Sequence, residues 1–583
     1  MTLIILNDLK AGGDYSGYDF SGQDLSGVNL KGAKLYKTNF SETNLSGANL
    51  ERANLIGANF TSADLTNINL RRADLTDAIL THANLRGANL GAARFYRANL
   101  EKTNLVNAWL KSANLSEANL AGANLQGANL ERTNLEGANF VGANLQNTIL
   151  KLSLLESANL GGANLSYSNL NGANLSYANL YQANLSAAEM RRSQLRGTDL
   201  REVNLNSANL GASDISRARL QNAILTDAKL DGVDLRSSNL DGANLDGAVL
   251  SRSNLEGASL IKTSLINARL LGTDLSGACL HRANLSNAIL NGARLQLTDL
   301  SYANLTDSKM IRTQISDANL RFCDLSRSDL SRSYLCHSDL TGAKLLEAEI
   351  PAANLLKVNL YQANLSEVNL SRTHLAYGNL SAAILTNTDL RSADLTGIKD
   401  DNANLVGAVI GGNLGFSQTE FDDWRTRGAF ITYIQNIPQS PQERSNQDAV
   451  ELQRRIVILK ETLEERKLDL LDVLSKLERS VHLLQEYFEE LKEEKLLDLL
   501  EIQSLDKFIS FFQLQVIAPS YQRVDDDFSN FLNCYRNGEV HQWSQEEVEK
   551  EYEHWHRQIK KIAKHSKLIQ DVWLGLIRFS HRK

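Results

Sequence analysis

The sequence predicts a β-solenoid of about twenty four-sided coils, followed by an α-helical C-terminal domain. Two observations carry the prediction. From Ser16 to Ile410 the chain repeats every five residues, through 79 consecutive pentapeptides without an insertion or deletion. From about Asp448 the period becomes seven, with Ile456, Leu463, Leu470, Leu477, Leu484 and Leu491 in one register.

The five-residue period opens SGYDF, SGQDL, SGVNL, KGAKL and closes RSADL, TGIKD, DNANL, VGAVI. Every fifth position is Leu, Phe, Ile or Met, except Asp400. Two residues earlier stands a small residue, usually Ala, and Asn or Asp precedes most of the Leu. Neither regular element tolerates this spacing. On a helix the Leu would spread around the cylinder, and on a long strand they would alternate faces. A chain that turns a corner every five residues satisfies it, because each side then presents one Leu and one small residue inward. Four sides close a square coil, and stacked coils bury what one coil cannot. The small residue follows from volume, since two Leu-sized groups per side would overfill a narrow interior.

On these residues the chain resembles the pentapeptide-repeat family, whose motif is a small residue, Asn or Asp, Leu or Phe, then two variable residues. The resemblance implies a right-handed quadrilateral β-helix over residues 16–410. Members of that family serve varied roles, and many come from cyanobacteria. Some bind DNA gyrase by mimicking DNA, which needs a strongly acidic surface. Here residues 16–410 hold 36 Lys and Arg against 36 Asp and Glu, and a neutral rod argues against mimicry. Tyr18 and Gln23 at one end, and Ile398 and Asp400 at the other, read as decay of the pattern, while Ile68 is an isolated large residue at a small position.

Residues 1–15 read as an N-terminal cap in which MTLIIL adds a strand over the first coil and hides its edge. Within the rod, residues twenty apart share a side. The side that holds 31–35, 51–55 and so on to 391–395 carries 17 basic and 8 acidic residues. Twelve arginines occupy the second position of a repeat, and eight of them fall on this side: Arg52, Arg72, Arg132, Arg192, Arg252, Arg312, Arg332 and Arg372. They form a candidate interaction face for an acidic protein, a nucleic-acid backbone or an anionic membrane surface. The bland reading is solubility with local pairing, such as Glu51 with Arg52 and Glu131 with Arg132. The outward aromatics Trp109, Tyr177, Tyr361 and Tyr377 do not interleave with the arginines, which disfavours single-stranded nucleic acid.

Residues 411–435, with Phe416, Phe421, Trp424, Phe430 and Ile431, leave the repeat and read as the C-terminal cap of the solenoid. Residues 436–447 are polar, contain two prolines and read as a linker. Residues 448–583 read as a helical bundle or coiled coil. Ile456 to Leu491 form a candidate oligomerisation seam for a homodimer, interrupted by Arg466 and Lys467. Ser544 with Glu547 has capping-box spacing, and the helix it starts runs from acidic to basic, as the helix dipole prefers. Its basic end would equally suit peripheral contact with a membrane surface.

No catalytic constellation emerges. His554 and His556 are two apart and point apart on a helix, so they are poorly placed to share a metal. The glycines sit at repeat corners rather than in a phosphate loop. Cys279, Cys323, Cys336 and Cys534 show no paired spacing, and Cys323 stands where a small core residue belongs. No apolar run approaches the ~20 residues of a membrane span, and MTLIIL is too short for a signal peptide. The expectation is a cytoplasmic, non-catalytic protein without cofactor or metal. It would present a rod to a protein partner, with nucleic-acid binding and membrane regulation as the alternatives.

Overall fold

The computed structural model describes residues 9–432. The chain divides into two units, Met1–Ile434 and Gln435–Lys583. The MTLIIL strand, the linker, the seam from Ile456 to Leu491 and the histidines at 554 and 556 lie outside the described residues.

Backbone hydrogen bonding explains why five residues make one side. In each pentapeptide the second N–H donates to the coil above, as Gly47 does to Thr66 O at 2.8 Å. The third closes a turn, Ala48 to Leu45 O at 3.1 Å, and the fourth reaches the coil below, Asn49 to Val28 O at 2.9 Å. The fifth rises again, Leu50 to Asn69 O at 2.8 Å. That leaves the first N–H, and here the Asn or Asp acts: Asn44 Oδ1 accepts from Ser46 N at 3.1 Å. The side chain before the Leu therefore completes a count that the backbone alone leaves one donor short.

Fourth-position residues pair in parallel with those twenty later, from Asp14 with Lys34 to Asp394 with Leu414. Each coil is thus four pentapeptides, and the register never slips. It begins earlier than the sequence suggested. Residues 11–15 (AGGDY) already form a side, with Asp14 paired to Lys34 and Tyr15 buried, so the boundary of the expected cap at residue 15 moves back. Asn side chains also bond along the axis, as Asn59 Nδ2 does to Asn39 Oδ1 at 3.0 Å.

At four fourth positions that lack Asn or Asp, an acceptor one coil away completes the count. Glu189, Ser259, Ser264 and Lys309 are such positions, and the N–H groups of Arg191, Ile261, Ile266 and Ile311 turn instead to Asn171, Asp241, Asp246 and Asn291 one coil below, at 2.7–3.0 Å. After Glu349 the first residue is Pro351, which has no N–H to satisfy.

Inside, the Leu and Ala columns are almost fully buried, and Phe20, Phe40 and Phe60 stack with centroids 5.4 and 5.0 Å apart. Ile68 is buried like its Ala counterparts. Buried Ser and Thr at the third position bond to Leu or Phe carbonyls, for example Ser153 Oγ to Leu150 O at 2.7 Å and Thr43 Oγ1 to Phe20 O at 2.8 Å. Ser213 Oγ and Ser308 Oγ have no such partner. Ser213→Ala and Ser308→Ala should each raise stability by about 1 kcal/mol in urea unfolding, because a buried hydroxyl without a partner costs more than a methyl. Unchanged or lower midpoints would show that the hydroxyls are satisfied.

Asp199 is buried and holds both Arg201 and Arg219, at 2.7 and 2.9 Å. The hydrogen-bonded Arg201 guanidinium holds its carboxyl below the usual carboxylate range. A depressed folded-state pKa contributes stability above the unfolded value near 4, and that stability is lost as pH falls through the folded value. Asp199→Asn should therefore cost about 2 kcal/mol at pH 7, with the deficit shrinking below pH ~4. A deficit independent of pH would assign the effect to packing.

At the end of the rod β1 (Val409–Ile410) pairs in parallel with β2 (Phe430–Ile431). Between them α1 (Gln418–Thr426) starts at Ser417, whose side chain and Glu420 form a capping box. Trp424 and Phe421 are buried against the last Leu of the core, and Phe416 meets both rings edge-on at 5.0 and 5.2 Å. Asp400, which the sequence presents as decay, is the anchor of this helix. Its Oδ2 accepts from Trp424 Nε1 at 2.8 Å and from Arg427 Nη1 at 2.6 Å, while Arg427 Nη2 donates to Asp400 O and Ala403 O at 2.9 Å.

Candidate interaction face

The corner of each side is a turn whose third residue has a positive φ, the requirement of a type II turn. That residue is the second of the pentapeptide. Gly suits it, yet charged, polar, aromatic and unbranched apolar residues also stand there, though no β-branched one, and all eight arginines do so at φ between 56° and 60°. Each non-Gly residue accepts a strained backbone, roughly 1 kcal/mol. In exchange its side chain leaves the core and points outward from a corner fixed by hydrogen bonds. The second position is therefore where the sequence can vary the surface without touching the fold.

The twenty-residue register stacks Arg52, Arg72, Arg132, Arg192, Arg252, Arg312, Arg332 and Arg372 in one corner column. All are exposed except Arg312, which is half-buried. Six of them, from Arg72 to Arg372, recur every sixty residues, one guanidinium per three coils. Strand spacing makes that interval ~14 Å. This period is legible in the sequence but is hidden when the face is counted as a whole.

Ion pairs thin the face unevenly. Glu51 pairs with Lys31 at 2.8 Å and more distantly with Arg52 at 3.8 Å, and Glu131 takes Lys111 at 3.0 Å. Arg94 and Arg294 face Asp74 and Asp274 at 3.9 and 3.7 Å. The expected Glu51–Arg52 neighbours do pair, and shorter bonds from Glu51 and Glu131 across coils are added to local pairing. From residue 291 to 395 this side carries five arginines and a single acid, Asp394, whose carboxylate is held by His374 and Thr396.

Trp109, Tyr177, Tyr361 and Tyr377 are exposed on other sides, apart from the arginines. The structure adds an aromatic corner that inspection by side had not gathered. Tyr302 and Phe322 stack at 5.2 Å, the Arg282 guanidinium lies 5.7 Å from the Tyr302 centroid, and His281 meets that ring edge-on. Phe322 lies flat over Gly342, where an added Cβ would stand 2.6 Å from the ring. Register arithmetic at 282, 302, 322 and 342 was the signal available.

Among the described residues no group of three or more His, Cys, Asp or Glu could hold a metal ion. No described helix is long and apolar enough to cross a membrane. Cys279, Cys323 and Cys336 are unpaired thiols, and burial pushes the Cys323 thiol up, away from reactivity.

Comparison with known proteins bears on this architecture. The family model Pentapeptide repeats (8 copies) matches twelve segments that together cover residues 16–151, 153–348 and 363–399. HetL, a pentapeptide repeat protein involved in heterocyst differentiation regulation from the cyanobacterium Nostoc sp. strain PCC 7120, is 34% identical. That match covers 39% of this chain and 89% of HetL, with a TM-score of 0.17. The pentapeptide repeat protein Rfr23 from the cyanobacterium Cyanothece 51142 is 31% identical over 18% of this chain and 63% of its own, with a TM-score of 0.08. QnrB1, a plasmid-mediated fluoroquinolone resistance protein, is 13% identical over 42% of this chain and 90% of its own, with a TM-score of 0.19. No curated protein matches the chain.

Proposed function

The chain belongs to the pentapeptide-repeat family, whose repeats fold as a right-handed β-helical solenoid, and on that premise we propose that it is a non-catalytic scaffold or regulatory protein. A rod of about twenty coils would present its arginine face to an acidic protein partner. In this reading residues 411–435 close the end of the rod, 436–447 link it, and 448–583 oligomerise or recruit a second protein.

One observation carries the proposal. Outward side chains stand on corners whose backbone donors are satisfied within the coil stack, so the face is pre-organised and binding need not order it. Eight arginines in one column give such a face a sign and a direction. The same geometry would suit a nucleic-acid backbone, which remains the second reading.

Reversing Arg72, Arg252 and Arg372 to Glu tests the face without touching the core, since Glu42, Glu202 and Glu367 occupy the same corner position at φ 58–61°. Proteins retained by the wild-type chain at low salt should be lost from the triple variant. An unchanged set would remove the face from the proposal. Light scattering of the full chain, beside one in which Leu470 and Leu477 are Asp, tests the seam. A dimer that becomes a monomer supports it, and a mass unaffected by the change removes it.

A further inference from the structure

On the side of the rod that holds 226–230, 246–250 and so on, the fourth positions of five successive coils read Lys229, Val249, Arg269, Ile289 and Lys309. Each is the parallel bridge partner of the next. Each backbone N–H reaches an Ala carbonyl one coil below at 2.9 Å, from Lys229 N to Ala208 O through to Lys309 N to Ala288 O. The five rungs are thus fixed alike, with one outward side chain on each. The residues on either side of them are buried, while the three cations are exposed and Val249 and Ile289 half-buried. Leu271 and Ile311, two residues beyond Arg269 and Lys309, are half-buried at the adjoining corner.

Charge on this column is matched for one sign only. Its acids between 189 and 389 all have donors. Glu189 accepts from Asn209 Nδ2 at 2.8 Å, Asp329 from Ser331 N at 3.0 Å, Glu349 from Asn369 Nδ2 at 2.7 Å, and Asp389 from Arg391 Nε at 2.9 Å. The side chains of Lys229, Arg269 and Lys309 make no ion pair or hydrogen bond among the described residues. Asp231 follows Lys229 by two residues without pairing to it, and Asp246 accepts from Ile266 N at 3.0 Å.

We infer that this ladder is a docking surface for an acidic amphipathic α-helix of a partner protein, lying along the rod axis. Strand spacing puts successive cations about 10 Å apart, with Val249 and Ile289 midway. A helix advances ~10.5 Å in seven residues. Carboxylates one heptad apart therefore meet successive cations, and apolar residues three and four further on meet Val249 and Ile289. Over the three cations the mismatch is ~2 Å, within the swing of Lys and Arg stems. An extended chain repeats its side chains on one face every ~6.7 Å and falls out of step after the first contact. A nucleic-acid backbone would gain nothing from the two apolar rungs. The inference goes beyond the scaffold reading, because this surface lies on the side next to the arginine column and stands whether or not that column binds.

The test is fluorescence anisotropy of a labelled helical peptide of three heptads, titrated with the full-length protein. The peptide carries Glu at one position of each heptad and Leu three and four residues later. A control peptide has the same composition with Glu and Leu spread around the helix. One variant combines Lys229→Asn, Arg269→Asn and Lys309→Asn, and a second combines Val249→Asn and Ile289→Asn. Both keep the fold, because Asn209 and Asn369 hold the same position in the same column. The expected result is one-to-one binding, at least tenfold weaker in the first variant and at least fivefold weaker in the second, with unchanged circular dichroism. The control peptide should bind at least tenfold more weakly, and a short DNA duplex should not displace the peptide. Arg72→Glu with Arg372→Glu should leave its affinity unchanged, which separates this surface from the arginine column. No binding by the wild type, wild-type affinity in either Asn variant, equal binding of the control, displacement by the duplex, or loss in the arginine variant would each overturn the inference.

Discussion

Replacing Trp424 by Ala should destabilise the last coil by about 3–5 kcal/mol while leaving the middle of the rod intact. Trp424 is buried against the end of the core, is met edge-on by Phe416, and donates to Asp400. Its removal opens the apolar floor of the coil that holds Leu405 and Ile410 and strips one donor from the Asp400 carboxylate. Coils exchange stability only with their neighbours in a stacked array. Hydrogen exchange should therefore rise sharply in peptides from 395–432 and stay unchanged in peptides from 100–300. Trp424→Phe separates the two contributions. It keeps most of the ring packing but loses the Nε1 donor, and should cost about 1–2 kcal/mol. A uniform rise in exchange along the rod would refute the local picture, and an unchanged terminus would show that α1 contributes little to the end coil.

Leu205→Asp should cost at least about 4 kcal/mol, more than any surface change on the rod. Leu205 is fully buried between Leu185 and Leu225, beside Val203, Ala183 and Ala223. A carboxylate there meets no donor, and leaving a charge buried and unpaired is among the costliest single changes. The same substitution exists naturally at the same repeat position in Asp400, which shows what tolerance requires: a Trp N–H and an Arg fork from outside the repeat. Leu205→Met is the control. Met190 and Met310 fill equivalent buried positions, so this change should cost under ~1.5 kcal/mol. Equal effects of Asp and Met, read from urea midpoints, would contradict a dry interior.

The arginine face shows where reading the chain succeeds and where it stops. Membership of the column follows from arithmetic, because every coil has the same length and residues twenty apart must stack. The pairing of Glu51 with Arg52 followed as well, but the shorter bonds of Glu51 and Glu131 to Lys31 and Lys111, one coil away, did not.

The sequence by itself determined the five-residue side, the inward Leu and small residue, the four-sided coil and its register. Periodicity makes these local, since each pentapeptide meets the same neighbours as the one before it, and one satisfied unit is repeated. The role of the Asn was also implicit, but only the hydrogen-bond count made it necessary. Tertiary structure decided what periodicity cannot encode. Asp400 meets Trp424 and Arg427 through a segment with no repeat, and whether a carboxylate at an inward position is a defect or an anchor depends on groups 24 and 27 residues away. The acceptance of four N–H groups by Asn171, Asp241, Asp246 and Asn291 is of the same kind, because the acceptor comes from a residue twenty positions away rather than from the pentapeptide itself.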